Sequence, residues 1–132
     1  AQMEDNLVTF DHPQPLSEEE TACLLRFAEQ MKNAVPCTAC RYCCDGCPQR
    51  INIPQMLRVL NEIRIAPSTN AIMAVEALPE SQQPSACLGC GACAAICPQK
   101  IDIPGCMQEL TERIAKIPSW AEISRQRAAA QP

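Results

Sequence analysis

Two stretches of the chain carry the same spacing of cysteines. Residues 37–48 read CTACRYCCDGCP, and residues 87–98 read CLGCGACAAICP. In each stretch three cysteines occur at every third position, and a fourth follows after a gap of three residues and directly precedes a proline. The positions are Cys37, Cys40, Cys43 and Cys47 in the first stretch, and Cys87, Cys90, Cys93 and Cys97 in the second.

The repetition extends beyond the cysteines. Fifty residues separate the two copies without a gap, and the matches continue as Ile51, Ile53, Pro54, Leu60 and Glu62 against Ile101, Ile103, Pro104, Leu110 and Glu112. Internal repeats of this kind indicate repeated structural units. We therefore predict two halves related by an approximate two-fold axis, each with a cysteine loop followed by a helix.

The spacing favours iron–sulfur clusters as the bound group. Three thiolates from one loop can surround a compact inorganic core, while the cysteine before proline is carried away from that loop. The run C-x2-C-x2-C-x3-C-P is typical of bacterial ferredoxins, in which the last cysteine binds the other cluster. We predict two [4Fe–4S] clusters, one bound by Cys37, Cys40, Cys43 and Cys97, the other by Cys87, Cys90, Cys93 and Cys47.

Zinc and disulfides are the alternatives for these cysteines. A four-thiolate zinc site usually uses two separated pairs of cysteines, so a third cysteine in each run would have no partner. Disulfides suit small secreted domains, but this chain has an odd number of cysteines, eleven, and no visible secretory signal. The remaining three cysteines are predicted not to be ligands. Cys23 is expected to be a small buried apolar residue on a helix, and Cys106 is expected to pack in the same way. Cys44 directly follows a proposed ligand and would break the spacing.

The local sequence favours helices throughout. Helix starts are indicated at Ser17 with Glu20, at Asn52 and Asp102 ahead of Pro54 and Pro104, and at Ser68 or Thr69. We predict that the helix starting at Ser17 runs to about Lys32 and that the helix starting at Ser68 or Thr69 runs through Ala77. No window alternates polar and apolar residues, so the predicted fold class is all-α. The tail from Arg125 is expected to be frayed.

Composition excludes several functions. A net charge of −4 offers no basic surface for nucleic acid. No apolar run approaches the ~20 residues that span a bilayer, and no signal peptide is visible, so we expect a cytoplasmic protein without membrane insertion. Only four residues are aromatic. We expect a core of smaller apolar side chains, with metal ligation supplying part of the folding energy.

The paired runs resemble the alpha-helical ferredoxin fold, a domain with two pseudo-symmetric cluster-binding halves. A closer resemblance is to the C-terminal iron–sulfur extension of a branch of the aldo/keto reductases, carried by residues 15–20, Pro36 to Cys43, Cys47-Pro48 and Ile51 to Pro54. One added residue before Cys47 departs from the commoner form of that extension. The resemblance implies a helical domain at 17–120, a tail at 121–132, and a remnant of the upstream (β/α)8 barrel at 1–16.

The first residues resemble a motif of the same family. Aldo/keto reductases carry Gln-x-x-Glu-Asn near the end of the barrel, where it contacts the adenine end of NADP(H), and Gln2, Asp5 and Asn6 are similar to it. The resemblance implies that NADP(H) binds only in the intact parent enzyme. The catalytic residues of the family belong to the barrel, so the chain is expected to be a fragment that is not catalytic alone.

The sequence thus predicts a one-electron transfer domain. An upstream barrel domain of the same polypeptide is the expected partner. A flavoprotein or another redox partner is a second candidate, because nicotinamide gives up two electrons as a hydride whereas a cubane cluster accepts one. Two alternatives stay open, a structural role for clusters without redox turnover and a subunit-docking role.

Overall fold

The structure, a computed structural model, describes residues 2–130, apart from the side chain of Gln30. The helices are α1 (Gln2–Asp11), α2 (Glu18–Met31), α3 (Tyr42–Asp45), α4 (Ile53–Ile65), α5 (Thr69–Glu76), α6 (Ala92–Ile96), α7 (Ile103–Ile114) and α8 (Trp120–Ala129). The described residues contain no strand, which confirms the all-α prediction. No helix among them is both long and apolar enough to pass through a bilayer. They divide into two compact units, residues 2–33 and 34–130.

The first unit contains α1 and α2. Ser17 and Glu20 form the predicted capping box, in which each side chain accepts a hydrogen bond from the other residue's backbone N–H. The apolar side chains Leu24 and Phe27 are exposed on α2. Cys23, which the sequence suggested as a buried apolar residue, is only half-buried and lies outside the core, so that expectation is wrong.

The second unit holds the hydrophobic core, and the core follows the repeat. Helix α4 packs against α7, and the short α3 packs against α6. Each of these pairs joins equivalent elements of the two halves. The buried residues include Met56, Leu60, Met107 and Leu110, and none of the described core residues is aromatic. Small aliphatic side chains, methionine and cysteine therefore build the core, as the composition predicted.

The long helices of the two halves begin alike but not identically. Proline occupies the first turn of both α4 and α7, where its missing N–H leaves no hydrogen bond unmade. Asp102 caps α7 by accepting a hydrogen bond from the Gly105 N–H at 3.1 Å. Asn52 stands at the same point before α4, but its side chain donates to Gln55 at 3.0 Å and does not cap.

The remaining helices of this unit show one success and one failure of prediction. Ser68 caps α5, which ends at Glu76, close to the predicted Ala77. The expectation of a frayed tail from Arg125 is wrong for the described residues, since α8 continues to Ala129; residues 131–132 lie outside them. A capping box between Ser119 and Glu122 starts this helix.

Candidate metal centres

Cysteines from both halves line each of two cavities in the second unit. The first, the Cys97 cavity, is lined by Cys37, Cys40, Cys43 and Cys97. The second, the Cys47 cavity, is lined by Cys87, Cys90, Cys93 and Cys47. Each cavity thus combines three cysteines of one run with the last cysteine of the other run, which is the grouping expected from the spacing.

The two cavities are alike in size and surroundings. Each has a volume of about 20 Å³ for the centre of a water-sized sphere, and both open partly to solvent. Apolar atoms form nearly all of the lining. Ile103, only 1% exposed, lines both cavities, whereas Ile53 lines only the Cys47 cavity. The core side chain Ile103 therefore touches both sites, which the repeat alone does not predict.

Equivalent backbone turns shape the two cysteine loops. After the last cysteine of each run, the Arg50 N–H donates to the Cys47 carbonyl at 2.9 Å and the Lys100 N–H donates to the Cys97 carbonyl at 3.0 Å. Both donors have a left-handed backbone, with φ of 53°. This turn separates the last cysteine from the helix that follows it. The repeated sequence is therefore a repeated conformation.

Asn61 fixes the approach to the first cysteine loop. Its side chain accepts a hydrogen bond from the Val35 N–H at 2.7 Å and donates one to the Val35 carbonyl at 3.0 Å. Val35 lies two residues before Cys37, so this pair of bonds ties the start of the loop to α4. Thr111 occupies the equivalent position on α7, where its hydroxyl bonds instead to the Met107 carbonyl at 2.8 Å. The repeat comparison could not reveal the role of Asn61.

The third cysteine of each run is the most buried of its set. Burial raises the pKa of the Cys43 thiol to about 12, and the neighbouring Cys44 adds to the increase. Burial likewise raises the pKa of Cys93. A bare thiolate is thus disfavoured at both positions, and a cation bound there would stabilise the charged form.

The other cysteines and the single histidine lie outside both cavity linings. Cys44 and Cys106 are half-buried and pack against the core, which matches the packing role predicted for Cys106. His12 is exposed. All eleven cysteines are free thiols. Among the described residues, no three His, Cys, Asp or Glu side chains are close enough together to hold a single metal ion.

The candidate NADP(H) residues lie in the first unit. Gln2, Asp5 and Asn6 are exposed on α1, where spacings of three and four residues place them on one face of the helix. None of them lines either cysteine cavity.

The model of the 4Fe-4S dicluster domain family matches residues 36–101. This is half of the chain, and it contains all eight cysteines of the two runs. The chain belongs to the 4Fe-4S dicluster domain family. Neither the curated proteins nor the solved structures compared with the chain gave a match.

The donor set of this dicluster domain fits iron–sulfur clusters. Four thiols at each cavity provide the number and type of ligands that a [4Fe–4S] cluster requires. The linings are apolar but open partly to solvent, and solvent exposure is one of the factors that set a cluster's potential. Arg41 is the charged residue in the lining of the Cys97 cavity. Sequence reasoning missed it, although its counterpart fifty residues later is glycine.

Proposed function

We propose that this chain is a one-electron transfer domain that holds two [4Fe–4S] clusters. Cys37, Cys40, Cys43 and Cys97 would bind one cluster, and Cys87, Cys90, Cys93 and Cys47 the other. The observation that carries the proposal is the exchange of the last cysteines, because each cavity gains its fourth thiol from the opposite half. Each cluster, when bound, takes up or releases one electron.

The residues of the chain give the centres two properties that electron transfer needs. The shared contact of Ile103 with both cavities supports a short path between the centres. The linings are almost wholly apolar, so few dipoles of the protein have to reorganise when the charge of a centre changes. No group of side chains at either cavity resembles a nucleophile with its base, which favours electron transfer over substrate chemistry.

We further propose that the domain is the C-terminal part of an NADP(H)-dependent oxidoreductase similar to the aldo/keto reductases. The likeness of residues 36–54 to the iron–sulfur extension of that family supports the proposal, as does the likeness of Gln2, Asp5 and Asn6 to its cofactor motif. The upstream barrel would be the partner, and a flavoprotein would convert hydride into single electrons. A reducing compartment such as the cytoplasm would keep the eleven cysteines free.

Anaerobic reconstitution followed by a redox titration tests the electron-transfer role. The chain should bind iron and sulfide in equal amounts, eight of each by the ligand count, and its visible absorbance should bleach reversibly on reduction. Electron paramagnetic resonance should then detect paramagnetic reduced clusters. A folded chain that binds zinc and no iron, or whose clusters cannot be reduced and reoxidised, contradicts the proposal.

One observation favours a structural role as the second candidate. The cavity linings are also the core, since Ile51, Ile53, Ile101 and Ile103 belong to both. Clusters at these cavities would tie the two halves together and contribute folding energy. Under this alternative, cluster removal lowers the melting temperature while the clusters show no reversible reduction. Reversible reduction in a stable chain separates the two roles.

A further inference from the structure

The linings of the two cavities differ in charge. Arg41, whose side chain is positively charged, is among the residues that line the Cys97 cavity, and its counterpart in the repeat, Gly91, lines the Cys47 cavity. Among the described residues that line the two cavities, Arg41 alone is charged. Thr38 and Leu88 form a second unlike pair, polar at the first cavity and apolar at the second. The environments that the repeat would make equal are therefore unequal.

The backbone at Arg41 has the conformation that glycine adopts at the equivalent position of the second half. Arg41 has φ of 69° and Gly91 has φ of 75°, both in the left-handed region that favours glycine. Nothing lies within 4 Å of a Cβ added at Gly91, so space does not decide between the two residues. The first half carries a less favourable residue at both of its left-handed loop positions, since Ala39, with φ of 56°, also stands opposite a glycine, Gly89. Of these two residues, Arg41 is the one that adds a charge.

A second pair of residues shifts the charge balance in the same direction. The Arg41 guanidinium lies 3.5 Å from the Asn52 side-chain oxygen, at the start of α4. The residue at the start of α7 that corresponds to Asn52 is Asp102, which carries a negative charge. The cysteine loop of the Cys97 cavity thus carries a cation that contacts a neutral amide at the start of α4. The cysteine loop of the Cys47 cavity carries glycine instead, in a half whose helix begins with an anion.

The other nearby charges do not oppose this asymmetry. Arg50 and Lys100 occupy equivalent positions with the same backbone conformation, so we expect them to add nothing to the difference in potential between the two centres. Asp45 lies two residues from both Cys43 and Cys47, which line different cavities, and it lines neither. We expect its charge to act on both centres in the same sense.

We propose that Arg41 makes the centre at the Cys97 cavity the higher-potential centre of the pair, so that electrons collect there. The inference rests on the proposed electron-transfer function. A positive charge close to a centre favours the state with one more electron, because reduction makes the centre more negative. One electron leaves the reduced centre at the Cys47 cavity, which becomes oxidised, and enters the centre at the Cys97 cavity, which becomes reduced. No bond is made or broken and no proton moves.

A potentiometric titration of the reconstituted full chain, with dithionite as reductant, tests the proposal. The wild type should show two midpoint potentials. Arg41→Gln should lower only the upper potential, by up to about 59 mV, which is a tenfold change in a one-electron equilibrium. Gly91→Arg should raise only the lower potential by a similar amount. Arg41→Lys keeps the charge and should leave both midpoint potentials at their wild-type values.

Two controls separate a local charge effect from a general one. Arg58→Gln removes the same charge from an exposed position that lines neither cavity, and it should leave both potentials unchanged. Raised ionic strength should reduce the shift caused by Arg41→Gln, because that charge is partly exposed to solvent. Circular dichroism should give the same helix content for every variant.

A single midpoint potential in the wild type, a shift of the lower potential by Arg41→Gln, or no shift at all would overturn the inference while leaving the electron-transfer role in place. Clusters that load but cannot be reduced reversibly would instead overturn the electron-transfer role, and the inference with it.

Discussion

Ile103 is the residue at which one substitution should disturb both centres. Its side chain is 1% exposed, lies in the first turn of α7 and lines both cysteine cavities. Shortening a buried isoleucine to alanine leaves a cavity and costs about 2–5 kcal/mol. At a denaturant slope of about 2 kcal/mol per molar urea, Ile103→Ala should lower the urea midpoint by about 1–2.5 M.

Two matched variants show whether the position or the residue type matters. Ile53→Ala removes an equally buried isoleucine that lines only the Cys47 cavity. Ile65→Ala removes one that is 64% exposed and should change the free energy of unfolding by no more than about 0.5 kcal/mol.

Cluster loss gives the more specific readout. The reconstituted chains are mixed with an iron chelator under argon, and the decay of visible absorbance is followed. Loss of each cluster should appear as one phase of the decay. Ile103→Ala should accelerate both phases, whereas Ile53→Ala should accelerate one and leave the other at the wild-type rate. If Ile103→Ala accelerated only one phase, or lowered stability no more than Ile65→Ala, the placement of Ile103 between the centres would be wrong.

Three further substitutions test other parts of the structure. Asn61→Ala removes both bonds to the Val35 backbone and should cost about 1–3 kcal/mol in urea denaturation and speed cluster loss; an unchanged midpoint would contradict the loop-anchoring role. Hydrogen bonds from Arg64 lower the pKa of Glu109 from 4.5 to about 2, so their stabilising effect is complete above about pH 4.5 and is lost as the pH falls towards 2. Glu109→Gln should therefore lower the free energy of unfolding by about 1–2 kcal/mol, since solvent partly screens the interaction. The loss should be the same at every pH from about 8 to about 5, and a loss that varied over this range would contradict the assignment. Cys44→Ser should leave the iron content unchanged, and loss of a whole cluster would show that Cys44 is a ligand.

The repeat made the arrangement of the cysteines predictable. Because residues 37–48 and 87–98 match without a gap, one spacing rule predicted which cysteines share a site, and the two cavities group them in that way. Helix starts were equally predictable where a short local pattern determines them, as at Ser17 and Ser68. The local sequence contains the capping interactions themselves, so little tertiary information was needed.

The differences between the halves were harder to predict. Asn61 and Thr111 are equivalent in the repeat, yet only contact with Val35 across 26 residues gives Asn61 its role. Asn52 has a capping side chain by type, but Gln55 offers it a competing partner. The same kind of signal that identified α2, a serine followed three residues later by glutamate, is present at Ser119 and would have predicted α8.

The exchange of cysteines between halves is tested most directly in a chain that keeps only one centre. Replacing Cys87, Cys90 and Cys93 by alanine removes the other, and the iron content and reduced-state electron paramagnetic resonance signal of the remaining cluster are then measured after one further substitution. We predict that Cys97→Ser abolishes the remaining [4Fe–4S] signal or changes it to the signal of a different cluster type. Cys47→Ser should leave the signal intact. The opposite result, with dependence on Cys47 and not on Cys97, would show that each run completes its own cluster and would contradict the exchange.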